Sequence, residues 1–174
     1  MNLKQATQLS ALAAIVMCVA HPSVPGNAAA SDVPIYPGAT KVPTHLTGSA
    51  VNCGHKIQVV PYESAANAKT VAKWYEGKFA GASVLDQSSA DSGDVDTQIT
   101  VLNSDGSAGV NVHQIVLGNA RLQAAAKQLG SDKTEIGIST YSPPLGAGYI
   151  ALESRAVHHD AAALAQLKAA CPNG

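Results

Sequence analysis

The chain has 174 residues, with 11 Lys or Arg against 12 Asp or Glu, so its formal net charge is −1. Charged residues make up 13% of the chain, against about 25% in an average protein. This weak and nearly balanced charge gives nucleic acid no basic surface to bind. The length is sufficient for one domain with a hydrophobic core.

The first thirty residues have the pattern of a cleavable secretory signal peptide. Lys4 is followed by the apolar run 11–20, and Ala28–Ala30 offers a small-x-small cleavage site. An apolar helix of about ten residues covers only about half of a hydrocarbon core. We therefore expect residues 1–30 to be removed and the mature protein to lie in the periplasm or outside the cell, without a membrane span.

Two alternatives remain open for this segment. An uncleaved segment would serve as a membrane anchor, and N-terminal sequencing that found Met1 would support that reading. Cys18 would carry a lipid if a small residue preceded it, but Met17 occupies that place.

Loss of the signal leaves two cysteines, Cys53 and Cys171. A cysteine pair in an oxidising compartment is expected to form a disulfide. A bond across so long a loop stabilises the fold by about 4 to 5 kcal/mol in the chain-entropy treatment. A catalytic or metal-binding thiol is the alternative for either residue.

The mature chain begins with a proline-rich stretch. Residues 31–50 contain three prolines and no sustained periodicity, which predicts an extended leader that lies on the domain. A strand is predicted over about 51–60 and ends at Pro61. Ser64 is the predicted N-cap of a helix over 65–80. The predicted core stripe of this helix is Ala68, Val71, Tyr75 and Phe79, with Ala72 alongside and Trp74 on its flank.

A hairpin is predicted in the middle of the chain. The polar stretch Asp86–Asp96 is predicted as a loop. Alternating apolar residues predict strands over 97–102 and 109–117, joined by a turn that contains Asp105-Gly106. The later predicted elements are a helix over 120–129 capped by Asn119 and stopped by Gly130, a strand over 135–141, a strand over 148–153, and a helix over 161–170 capped by Asp160.

The order of these elements predicts an α+β domain over 51–174. The first six elements follow the ferredoxin-like β-α-β-β-α-β order, and a C-terminal strand and helix are added. We expect an antiparallel sheet with helices packed on one face.

The segment Pro34-Ile35-Tyr36-Pro37-Gly38-Ala39, followed by a strand and a helix containing Trp74-Tyr75, resembles a loose set of bacterial exported proteins and lipoproteins. The resemblance covers roughly residues 33–80 and its motifs are short. It implies an envelope location and a compact fold, and it transfers no catalytic residue because the set has no agreed activity.

Three residues are candidates for binding a ligand or partner. Tyr36 and Trp74 could line a groove, although aromatic residues at such positions are more often part of the core. His113 alternates with Asn111 on the strand face opposite Val110 and Val112, so it should face solvent or a shallow sheet surface. A simple solvated histidine is the alternative for His113.

The metal candidates are His158 and His159. Adjacent histidines on a helix or strand point apart, so the pair is a weak metal site, and Asp160 already serves as a cap. The sequence lacks G-x-S-x-G, S-x-x-K, H-E-x-x-H and phosphate-loop motifs. We expect no cofactor.

Two functions follow from these observations. The first is a non-enzymatic exported domain that binds an envelope protein or a small ligand through the sheet face or the region of Tyr36 and Trp74. The second is a small exported hydrolase or metal-dependent enzyme that uses dispersed groups such as His113, His158, His159 and Asp160.

Overall fold

The computed structural model describes residues 33–43 and 48–171, so the predicted signal peptide over 1–30 lies outside the described residues. The elements in chain order are β1 (Thr40–Lys41), β2 (Gly48–Asn52), β3 (His55–Ser64), α1 (Ala68–Glu76), β4 (Ser83–Asp86), β5 (Ser89–Asp91), β6 (Asp94–Leu102), β7 (Ala108–Val116), α2 (Ala120–Leu129), β8 (Thr134–Ser142), α3 (Gly146–Val157) and α4 (Ala161–Ala170). The predicted α+β class is confirmed.

The strands form one antiparallel sheet in the order β1-β3-β8-β7-β6-β4, with β2 also paired to β3 and β5 also paired to β6. The four long strands β3, β8, β7 and β6 form its centre. The predicted β-α-β-β-α-β succession is confirmed as β3-α1-β6-β7-α2-β8, with β4 and β5 inserted before β6. In space the first of these strands, β3, pairs with the last, β8. Every neighbouring pair of strands in the sheet is antiparallel.

Helix α1 packs across β6 and β7 and forms the main core with one face of the sheet. Val71 and Tyr75 are completely buried, so the predicted apolar stripe of this helix is confirmed. Phe79, which follows the helix, packs against the same core. The buried members of the core are Ala68, Val71, Ala72, Tyr75, Ile99, Val101, Val110, Val112, Ile136 and Ile138.

Two predicted boundaries near α1 are wrong. Strand β3 does not end at Pro61, because it continues to Ser64 and stays paired with β8. On the side away from β8, the Pro61 carbonyl accepts the Val42 N–H at 3.0 Å. The N–H and C=O of a strand residue point to the same side, so the N–H that Pro61 lacks would also point away from β8, toward the edge of the sheet, where proline is tolerated. Ser64 is not the N-cap, since it pairs with Thr134 in the sheet; Asn67 caps α1 and accepts the Lys69 N–H at 2.9 Å.

A second buried cluster lies on the opposite face of the sheet. Val101 belongs to the α1 core, whereas its neighbour Leu102 packs with Ile150 of α3, and successive strand residues point to opposite faces. The prediction that the helices pack on one face is therefore wrong. The prediction of a strand over 148–153 is also wrong, because this segment is part of α3.

Two segments predicted as irregular contain strands. In 86–96, β5 pairs with the start of β6 through a turn at Ser92-Gly93, so this stretch is a hairpin rather than a loop. In the leader, Thr40–Lys41 pairs with β3, and β2 begins at Gly48, before the predicted boundary at residue 50. A turn at Cys53-Gly54 separates β2 from β3, so the prediction of one strand over 51–60 is wrong. Before Thr40 the leader has a turn at Pro37-Gly38 and packs on the α1 core through Val33, Tyr36 and Ala39.

The predicted central hairpin and the later helix ends are confirmed. Asn119 caps α2 by accepting the N–H groups of Arg121 and Leu122, and Gly130 ends this helix with a φ of 71°. Asp160 caps α4 by accepting two backbone N–H groups. No helix within the described ranges is long and apolar enough to cross a membrane.

Cys53 and Cys171 form the predicted disulfide, with their Cα atoms 4.9 Å apart. The bond joins the turn between β2 and β3 to the end of α4. Helix α4 otherwise packs on α3, where Ala163 is completely buried. The disulfide thus connects the last helix to the first long strand.

Gly106 connects the β6–β7 hairpin to the start of α3. Its φ is 70°, a conformation that L residues with a side chain adopt with strain. Its carbonyl accepts the Leu145 N–H at 3.0 Å. A Cβ at this position would lie 2.8 Å from Leu145 Cβ and 3.0 Å from Gly146 N. Only glycine fits this contact without displacing the start of α3.

We expect Gly106→Ala to lower the free energy of unfolding by about 2 to 4 kcal/mol, because it combines left-handed strain with a backbone contact. Chemical denaturation followed by circular dichroism measures the change. Gly148→Ala is the matched control, since its Cβ would meet open space in α3, and it should leave stability unchanged or raise it by up to about 1 kcal/mol. Equal stabilities for the two variants would contradict this account.

Candidate functional site

The sheet face opposite α1 is polar, and we call it the open face. It carries Thr100 of β6, Asn111 and His113 of β7, and Glu135 of β8, which share one side of the ladder. In the described ranges no helix packs closely across this part of the sheet, because α3 contacts this face around Leu85 of β4, Leu102 of β6 and Tyr141 of β8. The Asn111 amide donates to the Thr100 hydroxyl at 3.0 Å, so the middle of the open face is ordered.

His113 lies between two carboxylates from neighbouring strands. Its Nε2 is 3.0 Å from Asp96 Oδ1 on β6, and its Nδ1 is 3.7 Å from Glu135 Oε2 on β8. An imidazolium donates from both ring nitrogens, whereas a neutral imidazole donates from one. The geometry therefore favours the protonated ring. His113 lies on the predicted face, but it is paired rather than simply solvated.

The carboxylates shift the titration of this group. The Glu135 carboxylate raises the pKa of His113 above its ordinary value, and Asp96 adds to this effect against the opposing effect of partial burial. His113 in turn lowers the pKa of Glu135. The three side chains are 32%, 48% and 80% exposed for His113, Asp96 and Glu135, so solvent screens the pair and its contribution to stability is small.

A third ion pair extends the charged row. Glu63 of β3 lies directly opposite Glu135 of β8 in the sheet. Lys133 forms an ion pair with Glu63. Charged groups from β3, β8, β7 and β6 therefore follow one another across the same end of the open face.

We expect His113→Gln to destabilise the protein most near pH 6, by about 1 kcal/mol or less. A raised pKa means that the histidine contributes its stability below its ordinary pKa of 6.5 and loses it as the pH rises through the folded value. Below pH 5 the contribution declines again as Glu135 takes up a proton. Urea denaturation of both proteins from pH 4 to 9 measures the difference.

A double-mutant cycle with Glu135→Gln controls for packing. The loss caused by His113→Gln should shrink in the Glu135→Gln background. The same loss at pH 6 and pH 9 would rule out a contribution from the charged pair.

The histidine geometry also bears on catalysis. A general base needs a ring nitrogen that faces the proton it removes. Both nitrogens of His113 face carboxylates instead. This arrangement suits a histidine that holds an ordered surface better than one that activates a nucleophile.

The structure brings Tyr36 and Trp74 together. Their rings meet edge to face, with centroids 5.4 Å apart, and Trp74 packs in the same way on Tyr75 at 4.8 Å. The Tyr36 N–H donates to the Tyr75 hydroxyl at 3.1 Å. Lys78 Nζ lies 5.2 Å from the Trp74 ring. These contacts fasten the leader to α1, and both rings are only partly exposed.

His158 and His159 lie at the junction of α3 and α4, where both are exposed. His158 ends α3, and His159 has a φ of 63°. Asp160 is occupied as the cap of α4 and as the partner of Arg155, at 2.6 Å. Among the described residues no group of three or more His, Cys, Asp or Glu side chains is placed to hold a metal ion.

A second titratable cluster, which the sequence analysis did not identify, lies under α3. Tyr149 and Glu153 are one helical turn apart and hydrogen-bonded, and Tyr141 of β8 is close to both. Burial raises the pKa of Glu153, and burial with the nearby Glu153 charge raises that of Tyr149 to about 12. Tyr149 Oη also lies 3.9 Å from Cys53 Sγ. Tyr149 thus contacts both the largely shielded Glu153 carboxylate and the disulfide sulfur of Cys53.

We expect Glu153→Gln to raise stability at pH 7 to 8 by up to about 1 kcal/mol. A carboxyl whose pKa is raised by folding loses stability as the pH rises through the folded value, so the neutral amide is favoured above it. The gain in stability should vanish near pH 4. Thermal unfolding of the wild type and the variant at pH 8 and at pH 4 measures this gain, with Glu76→Gln on the exposed side of α1 as the control. A loss of stability at pH 8 would contradict the desolvation argument.

Only part of this site carries a local signal in the sequence. Alternation places His113 on the polar face, but Asp96 and Glu135 meet it through strand register, which spans distant segments. Tyr149 and Glu153 are four residues apart, a spacing that brings side chains together on a helix. Assigning this segment to a helix would therefore have predicted their contact.

Comparison with known protein families, curated proteins and solved structures finds no match to this chain.

Proposed function

We propose that this protein is an exported, non-enzymatic binding domain whose open face contacts an envelope protein or a small ligand. The location proposed is the periplasm or the extracellular space. The disulfide between Cys53 and Cys171 supports this location, because such bonds persist in oxidising compartments. The resemblance of residues 33–80 to bacterial exported proteins points the same way.

The observation that carries the proposal is the ordered charge across the open face. Asp96, His113 and Glu135 come from three adjacent strands and hold one another in position. Groups that are ordered before binding lose less conformational freedom when a partner arrives. The face also has neutral polar groups in Thr100 and Asn111, which have hydrogen-bonding capacity beyond their mutual contact.

The alternative is a small exported hydrolase or metal-dependent enzyme. It would need the dispersed histidines and Asp160 to act together. His113 is held by carboxylates on the sheet, whereas His158 and His159 stand at a helix junction. Binding therefore accounts for the arrangement better than catalysis does.

The open face is also a better contact surface than the aromatic pair. Tyr36 and Trp74 are engaged with each other and with Tyr75 in holding the leader. Substitution there would disturb the leader as well as any partner.

Native mass spectrometry on protein recovered from the exported fraction tests the proposal. We expect a mature mass that begins near Ser31 and is two hydrogens lighter than the reduced chain, together with a bound ligand or partner. Gln98 of β6 lies directly opposite His113 and so belongs to the open face. In the double variant Gln98→Arg, Glu135→Arg, two long cations on the open face should displace that species. Glu76→Arg on α1 is the matched control and should retain it.

Circular dichroism establishes that the variants are folded. A species retained by the folded double variant would exclude the open face as the contact. A bound metal ion in the spectrum would favour the enzymatic alternative, and a chain that begins at Met1 would contradict export with cleavage.

A further inference from the structure

We propose that the bond between Cys53 and Cys171 is a redox latch. When a dithiol reduces this bond, α4 comes away from α3, while the sheet and its α1 core stay folded. This inference concerns the C-terminal helices, and it holds whether or not the open face binds a partner.

Helix α4 has little of its own to hold it in place. It packs on α3, and Ala163 is the buried member of its ten residues. An isolated helix of this length is marginal in water, so its stability comes from packing. The disulfide at Cys171, directly after its last residue, therefore provides much of what keeps α4 on the domain.

The cores of the domain are built without α4. Among the described residues, the cluster around α1 lies on the other face of the sheet and includes no residue of α4. The cluster around Leu102 is closed by Ile150 of α3, again without α4. Helix α3 also has its own anchor, because the Leu145 N–H donates to the Gly106 carbonyl at 3.0 Å. Release of α4 therefore leaves both clusters in place.

The two sulfur atoms have different surroundings. Cys53 lies in the turn that begins β3, and its Sγ is 3.9 Å from the Tyr149 hydroxyl. Tyr149 is also hydrogen-bonded to Glu153, and its ring packs at 6.0 Å from that of His55. Cys171 follows the last turn of α4. Cys53 thus stays with the sheet on reduction, and Cys171 moves with α4.

The disulfide is open to exchange with a dithiol. Both cysteines are partly exposed, and exposed disulfides exchange more readily than buried ones. One thiolate of the dithiol attacks a sulfur of the pair and forms a mixed disulfide, and the other cysteine leaves with the bonding electrons and takes up a proton. The second thiolate then attacks the reagent's own sulfur, which closes the oxidised dithiol and frees the remaining cysteine. Two thiols are oxidised to one disulfide, and the protein disulfide is reduced to two thiols.

Hydrogen exchange followed by mass spectrometry tests the proposal on the full exported chain, with and without dithiothreitol. Reduction should speed exchange over Ala161–Ala170 by at least about tenfold and change that of α1 and β7 by less than about twofold. The double variant Cys53→Ser, Cys171→Ser controls for effects of the reagent. It should exchange like the reduced chain in both conditions.

Three outcomes would overturn the latch. One is unchanged exchange over α4 in protein whose mass shows that the bond is reduced. Another is faster exchange throughout the chain, because the bond would then hold the whole fold. The third is a disulfide that dithiothreitol does not reduce in the folded protein.

The coupling can also be tested from the side of α4. Ala163→Asp places a charge in the buried contact with α3, so by linkage it should shift the equilibrium with dithiothreitol toward the reduced protein by about tenfold or more. Ala162→Asp, at the exposed neighbouring position, is the matched control and should behave like the wild type. Alkylation and mass spectrometry count the two forms. Equal ratios for the two variants would contradict the coupling.

Discussion

The pairing of β3 with β8 is the constraint on which the rest of this fold depends. It runs from Lys56 opposite Ser142 to Ser64 opposite Thr134, and it joins strands from the two ends of the domain. Through this register the β2–β3 turn comes within reach of the C-terminal helix, where the disulfide forms. The same register sets Glu63 opposite Glu135 and so assembles the charged row on the open face.

What could be predicted from the sequence was local. Alternation and the Asp105-Gly106 turn indicate the central hairpin, and capping side chains such as Asn119 and Asp160 mark helix starts, because both depend on neighbours a few residues away. The α3 helix was missed because Gly146 and Gly148 are poor helix formers, yet its Ile150 finds a buried place beside Leu102. The partners of His113 could not be predicted, since register between distant strands has no local sequence signal.

The two faces of the sheet have different physical roles. On one face the completely buried Tyr75 and Val71 of α1 meet the alternating apolar residues of β6, β7 and β8, and this contact provides the core. The other face is covered near Leu102 and left polar around His113. An antiparallel sheet can leave one face to water in this way, because its core needs only one apolar side. The polar part of the open face around His113 is therefore not needed for the α1 core, and it is the surface that we propose binds a partner.

The long-range β3–β8 pairing also has a consequence for how the protein matures. If the protein is exported unfolded, as the proposed location implies, its N-terminal part emerges first, and β3 reaches the far side well before its partner β8. Until then β3 has its two short neighbours but an unpaired edge, which invites pairing with other chains. Cys171 follows β8 in the chain, so its disulfide with Cys53 can form only after β8 has emerged. On the proposed export route, folding and oxidation would wait until β8 and Cys171 have emerged, and a chain truncated before β8 would remain a target for chaperones and proteases.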